Sequence, residues 1–373
     1  MQELLDAGRA RGDVPFVVGM VADAAGTRWA GAAGEAGPDT VFAVFSMTKA
    51  VGAVAAMILA DRGRLDLDAP VAAILPEFGD LRRLDGWDGE APRLVPPTRR
   101  ATLRQLASHT SGLAYAMYSP EMLRFLRATG LPPPTSGQLR ALQAPLVCEP
   151  GTRWLYGTGI DWLGRVVEAI DGRRIDRFVT EEILVPLAMT SSGFEPTPAM
   201  QARLAPVCRR DTDGGFEPIE HRPPAHPEFD GMGHALYASP ADYLRFLRML
   251  LGGGALDGAR ILSEAAVATL LAAQPGTQGA GTLASAHPRS TADLDLFPGT
   301  PKSHSLAALR VEADVPGMRR AGAQGWAGIL NTHYWIDPAS GLAAVLMTQT
   351  LPFVEPGFMR LYGEFERAVY AGQ

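Results

Sequence analysis

The chain has 373 residues, 34 basic side chains against 40 acidic ones, a net charge of -6, and 47% hydrophobic and 20% charged content. Such a composition excludes a disordered or fibrous chain, and its length exceeds what one small core serves, so one large two-lobed domain or two domains are expected. No Lys/Arg-rich run occurs and acid exceeds base, so the electrostatic footprint of a nucleic-acid binder is missing and nucleic acid is not expected as a partner.

Residues 1–11 read as a short mixed-charge helix, and the run 14–21 that follows is too short and wrongly flanked for a signal peptide or a membrane span. A cytoplasmic protein without membrane association is the expectation. Residues 16–21 and 27–33 are small, apolar and β-branched segments around Ala-Asp-Ala-Ala-Gly, which predicts a hairpin. Helix-like spacing of apolar residues follows at 48–62, 102–108, 120–129, 160–171, 176–183 and 240–251, with proline-rich breaks at Pro96-Pro97, 132–134 and Pro223-Pro224. Ser239, Pro240 and Asp242 form a helix start: the serine oxygen caps, proline takes the first position and the carboxylate faces the positive end. Residues 274–289, rich in Gly, Ala and Thr, are expected to form a mobile loop. A second hairpin is predicted from 332–337 and 342–349 around Pro338 to Gly341, and 355–370 reads as a closing amphipathic helix, so both chain ends are expected to share one antiparallel sheet.

Among the 34 basic residues only Lys49 and Lys302 are lysine. Ser46-Met47-Thr48-Lys49 sets a hydroxyl and an amine on one helical face at the start of a strongly apolar helix. At the first turn the Ser46 oxygen feels the positive helix end, and Lys49 among Val51, Val54 and Met57 is desolvated toward the neutral amine that takes a proton. That is the activated nucleophile of a Ser-Lys hydrolase. A capping serine followed by a surface lysine is the competing reading, and chance alone predicts roughly 0.08 such motifs in a chain of this composition. Cys148 and Cys208 lack metal-ligand spacing and read as free thiols. No Gly-x-Ser-x-Gly elbow occurs, and His221, His226 and His234 show no metal pattern, so solvated or structural roles are expected for them and neither metal nor cofactor is called for.

Over nearly its whole length the chain resembles the serine β-lactamase and penicillin-binding-protein superfamily, which also holds the class VIII carboxylesterases. The resemblance is carried by Phe45 to Lys49, by His109-Thr110-Ser111-Gly112-Leu113, and by Trp154-Leu155-Tyr156 with residues 161–168. Residues 231–246 and Trp335-Ile336-Asp337-Pro338 add to it. It implies Tyr156 as a proton relay beside Ser46 and Lys49, and the backbone N–H groups of Ser46 and Ile329 as the oxyanion hole. Two departures matter. Tyr156-Gly157-Thr158 stands where many relatives have Tyr-x-Asn, and Trp326-Ala327-Gly328 where they have Lys-Thr-Gly, so the amide and the cation that grip a β-lactam are absent. A tryptophan there is similar to the class VIII esterases, and Trp326 is expected to wall the pocket.

The resulting expectation is an α+β, β-lactamase-like fold. The fold would join an antiparallel sheet from both chain ends, flanked by helices, to an all-helical lobe, with residues 1–60 and 300–373 forming the α/β lobe and 61–299 a mostly helical lobe with active-site loops. The implied function is hydrolysis of short-chain carboxylic esters through a Ser46 acyl-enzyme, with Lys49 and Tyr156 as acid and base, and Trp326, Gly328 and Thr158 shaping the pocket. A small-molecule ester is the expected partner. An acyltransferase or weak β-lactamase on the same site, or a silent ligand-binding sensor, are the alternatives, and the oligomeric state is left open.

Overall fold

The computed structural model describes residues 1–372. At its centre are seven strands: β1 (Val17–Ala22), β2 (Thr27–Ala33), β3 (Lys302–His304), β4 (Leu309–Val311), β5 (Gln324–Gly328), β6 (Thr332–Asp337) and β7 (Leu342–Met347). They form one antiparallel sheet in the order β3-β4-β5-β6-β7-β1-β2. The chain ends meet where β1 pairs with β7, with Gly19 opposite Leu346. The fold is thus α+β and β-lactamase-like, with its sheet drawn from both ends of the chain.

Period-two alternation explains why these strands read as continuous apolar runs. Val17 and Val21 of β1 and Ala344 and Leu346 of β7 point to one face, where Leu5, Phe358, Leu361 and Phe365 of the terminal helices α1 (Gln2–Ala10) and α7 (Pro356–Ala371) cover them. Val18, Met20, Val345 and Met347 point the other way, into the main core with α2 (Thr48–Asp61) and α6 (Pro240–Leu251). A sheet covered on both faces has no solvated side, so hydrophobic residues occupy both parities.

Helix α2 is buried from Thr48 to Leu59 on every side. A helix apolar all round belongs in the middle of a core rather than on a surface. Against it packs α5 (Gly159–Asp171), which in turn meets α3 (Leu103–Ala107), while α4 (Pro120–Thr129) lies against the 3-10 turn Ala116–Tyr118. Caps set their starts: Thr102 and Gln105 close a reciprocal capping box on α3, and the Ser119 oxygen accepts from Met122 N at α4.

Three expectations need correction. The part of the chain read as all-helical also carries strands, including a hairpin of Arg83–Asp88 with Ala91–Val95 turned at Gly89, whose φ is 58°. Its Asp88-Gly89 dipeptide is a hairpin signal that the short, polar flanking strands obscure. The segment 274–289 is not a free loop: Gln274 N donates to His304 O at 2.9 Å, Gly279 N to Lys302 O at 2.9 Å, and Thr277 is fully buried. Gly276, Gly279 and Gly281 turn it at positive φ, while Thr277 and Ala280 are fully buried. The helix expected at 176–183 is a short α-helix, Ile175–Val179, continued by a π turn over Thr180–Leu184.

The Ser239 start signal is realised: its oxygen accepts from Asp242 N at 3.2 Å, and α6 lies against β1 and β7. Ser239→Ala should therefore lower stability by about 1 kcal/mol. Urea unfolding that gives an unchanged midpoint would show that the cap contributes nothing.

Candidate active site

The site is assembled from four elements that meet beside the inner face of the sheet. Ser46 lies in a short 3-10 turn, Phe45–Met47, immediately before α2. Phe45 has a φ of 43°, a left-handed conformation unusual for a phenylalanine, and this lifts the turn toward the cleft. One turn on, the Lys49 amine lies 3.0 Å from Ser46 Oγ and donates to the Gly233 carbonyl at 2.7 Å. Lys49 is 3% exposed, and its nitrogen sits 4.9 Å from the ring centres of both Tyr115 and Tyr156. Burial pushes the amine from its ordinary value down to about 7, with the Asp161 charge opposing the shift. Two aromatic faces thus border the amine, and that of Tyr115 is one that sequence reading did not single out.

Asp161, in the first turn of α5, is fully buried and accepts from Gly233 N at 2.7 Å through Oδ1. Its Oδ2 has no hydrogen-bond partner among the described residues. One glycine thus gives its N–H to a carboxylate and its carbonyl to the amine, which ties the counter-charge and Lys49 into one frame.

Tyr156 lies beneath the cleft with its ring against His109, Tyr115 and Trp326 at centroid distances of 4.9, 5.1 and 4.9 Å. Trp326 of β5 donates from Nε1 to the Tyr156 hydroxyl at 2.9 Å. Burial raises the phenol above its ordinary value, while the Ser46 hydroxyl and the Trp326 indole pull it partly back. Trp326 therefore does more than wall the pocket, since it supplies a fixed donor to the tyrosine oxygen. His304 of β3 and His109 pack edge to face at 5.1 Å, and burial holds His304 at about 4 and His109 well below its ordinary range. Both are neutral near pH 7.

Ser46, Tyr156, Thr158, Trp326 and Ile329 all line one largely apolar cavity with Tyr115, Met117, Tyr118 and Met122. No intramolecular partner takes the backbone N–H of Ser46 or of Ile329 among the described residues. Gly328 does not line the cavity. A side chain there would stand 2.3 Å from Val44 O and 2.4 Å from Thr332 Oγ1, so the glycine lets β5 close on the turn that carries Ser46. Lys302 is elsewhere, paired with Asp295 at 2.9 Å. Cys148 and Cys208 are free, and no cluster suited to a metal occurs among the described residues.

The family model described as Beta-lactamase matches residues 1–368. The chain belongs to the β-lactamase family. Within that family, the lovastatin esterase of Penicillium rubens is 30% identical over 339 residues, covering 86% of this chain and 82% of that one. An uncharacterised protein of Mycobacterium tuberculosis is 36% identical over 233 residues, 61% of this chain, and the match spans only 58% of that relative's length. Simvastatin synthase of Aspergillus terreus, in a mutant form, superimposes with a TM-score of 0.84 at 27% identity, over 99% of this chain and 93% of that one.

Tyr115, Asp161, His304 and the Gly233 carbonyl were not singled out from the sequence of this β-lactamase-family chain. An aspartate in a first helical turn is ordinary macrodipole chemistry, so Asp161 carries no signal of its own. Tyr115 and His304 sit in stretches without any motif.

Lys49 is held against its own solvation, so Lys49→Met should raise the melting temperature at pH 6 while removing the amine. The lowered pKa means that the penalty is fully present below about 7 and fades as pH rises toward the ordinary lysine value. The stabilisation should accordingly shrink between pH 7 and pH 10, and thermal melts of both proteins across that range check the sign.

Proposed function

We propose that this protein is a serine acyl-transfer enzyme that hydrolyses carboxylic esters through a covalent Ser46 intermediate. The observation that carries this reading is the 3.0 Å approach of a buried amine, lowered to about 7, to the Ser46 hydroxyl. Near neutral pH much of Lys49 is free base, and it takes the serine proton as Oγ attacks the ester carbonyl. Negative charge then develops on the carbonyl oxygen, for which the uncommitted N–H groups of Ser46 and Ile329 are the candidate donors. Tyr156 keeps its proton firmly and sits between Lys49 and the cavity, so it can pass a proton to the departing alcohol and recover one from the lysine. Water repeats the sequence in reverse on the acyl-enzyme. An alcohol in place of water makes the same intermediate an acyltransferase, and the names of the similar proteins support both outcomes, with several acyltransferases and an esterase among them.

The cavity favours an apolar ester over a β-lactam. No arginine or lysine lines it, and Trp326 and Thr158 offer an indole and a hydroxyl where a penicillin's carboxylate and amide need a cation and a polar clamp. Losing one charge-assisted hydrogen bond forfeits about 1.5 to 3 kcal/mol, and facing a carboxylate with an indole adds a desolvation cost. The cavity measures about 200 Å³. That is small beside the roughly 300 to 1,000 Å³ of drug-sized ligand pockets, which suits a short acid.

Two outcomes are expected. Catalytic efficiency on p-nitrophenyl butyrate should rise with pH through about 7 as Lys49 loses its proton, and Lys49→Arg should lose about 10²- to 10⁴-fold because guanidinium stays protonated. A near-normal Lys49→Arg enzyme would leave Lys49 no role as a base. Side by side, p-nitrophenyl butyrate should be turned over far more efficiently than nitrocefin, and equal efficiencies would return the chain to the β-lactamases by activity.

A further inference from the structure

The Lys49 amine is tied to a carboxylate through one glycine. Lys49 Nζ donates to the Gly233 carbonyl at 2.7 Å, while the Gly233 N–H donates to Asp161 Oδ1 at 2.7 Å. Asp161 stands in the first turn of α5, where an aspartate ordinarily faces the positive helix end. Its side chain accepts no bond from that turn among the described residues. It is fully buried and reaches across 72 residues of sequence to Gly233.

The turn around Gly233 is anchored and crowded. Met232 is fully buried between α2 and α5, so that a side chain at Gly52 would stand 3.0 Å from its Cβ and one at Gly164 2.8 Å from its Cγ. A side chain at Gly233 would stand 2.7 Å from Asp161 Oδ2 and 2.8 Å from the Tyr115 hydroxyl. Only glycine lets these two groups close on it, and the carbonyl that meets Lys49 is thereby fixed.

The other titratable groups around the amine are uncharged near neutral pH. Burial holds His109, His234 and His304 below the ordinary imidazole range, and it raises the Tyr115 and Tyr156 phenols above theirs. Asp161 is the charge that Lys49 feels, and it favours the ammonium against the effect of burial.

We propose that Asp161 is a positioning residue of this site: through Gly233 it holds the Lys49 amine at the Ser46 hydroxyl, and its negative charge governs how readily that amine gives up its proton. This rests on the acyl-enzyme reading, in which Lys49 is the base. The two contributions are separable. Asparagine keeps an acceptor oxygen for the Gly233 N–H and removes the charge, whereas alanine removes both.

The test measures kcat and KM on p-nitrophenyl butyrate from pH 5 to pH 9, with active enzyme counted by the mass of its fluorophosphonate adduct. Asp161→Asn should move the acid limb of kcat/KM, which lies at about 7 in the wild type, toward lower pH by about one pH unit. Its plateau should stay within about tenfold of the wild type. Asp161→Ala should lower the plateau kcat by about 10²-fold with KM little changed, since the base is misplaced and the cavity is intact. The His234 ring stands 3.9 Å from the same carboxylate, so the limb is also compared between His234→Asn and His234→Asn/Asp161→Asn, where the displacement should recur. An unmoved limb in Asp161→Asn, a displacement that His234→Asn abolishes, or a raised KM with kcat kept in Asp161→Ala overturns the assignment. If Asp161→Asn alone does not fold, Lys49→Met/Asp161→Asn should, because both charges leave together. A double variant that also fails to fold makes Asp161 a residue of the fold and overturns the assignment as well. Wild-type protein that gains no fluorophosphonate mass at Ser46 overturns the acyl-enzyme reading itself, so the two failures are told apart.

Discussion

Everything around the cleft depends on keeping one amine out of water. A lysine at 3% exposure would ordinarily be excluded from a core, and here it is tolerated because each of its contacts answers a part of its charge: two aromatic faces, the Gly233 carbonyl, the Ser46 oxygen and the nearby Asp161 carboxylate. These contacts are spread over the helix α2, the start of α5, the Tyr115 loop and the glycine-rich turn, so the amine's surroundings exist only in the folded chain. Helix α2, buried along Thr48 to Leu59, seals the side of the amine that faces the core.

The sheet supplies rigidity to the other half of the site. Trp326 and the free N–H of Ile329 sit on and just past β5, which is flanked by β4 and β6 and whose Gly328 presses against the serine turn. A site built on a sheet strand is held more closely than one on a loop, and transition-state donors need that constancy. The Trp326 indole is a neutral partner for the tyrosine. A neutral donor at 2.9 Å still steadies the tyrosine oxygen, but it offers nothing to an anionic substrate.

The parts of this architecture that were legible in the sequence are those with a local or periodic signature. The terminal hairpins, α4, α6 and the Ser239 cap are marked by turn residues and apolar spacing, and Ser46 and Lys49 by a spacing that a helix turns into a contact. Tyr156 and Trp326 were legible only through resemblance to a family. Asp161, Tyr115 and His304 could not be read, because their importance comes from contacts across long stretches of chain: Gly233 is 72 residues from Asp161, and the indole that holds Tyr156 is 170 residues away. The stitched segment 274–289 was misread for a related reason, since small residues look alike in a flexible loop and in a close-packed one, and only its long-range partners tell them apart.

The bias of arginine over lysine has a practical side. Both lysines, Lys49 and Lys302, are buried, at 3% and 8% exposure, so the exterior of the molecule displays guanidinium groups and no lysine ammonium. Amine-directed labels, cross-linkers and surface-coupling chemistries would find little to react with among the side chains of the described residues. The amine whose pKa burial lowers, Lys49, lies 3.0 Å behind the Ser46 hydroxyl and outside the cavity lining, so a reagent that enters the cleft meets the serine first.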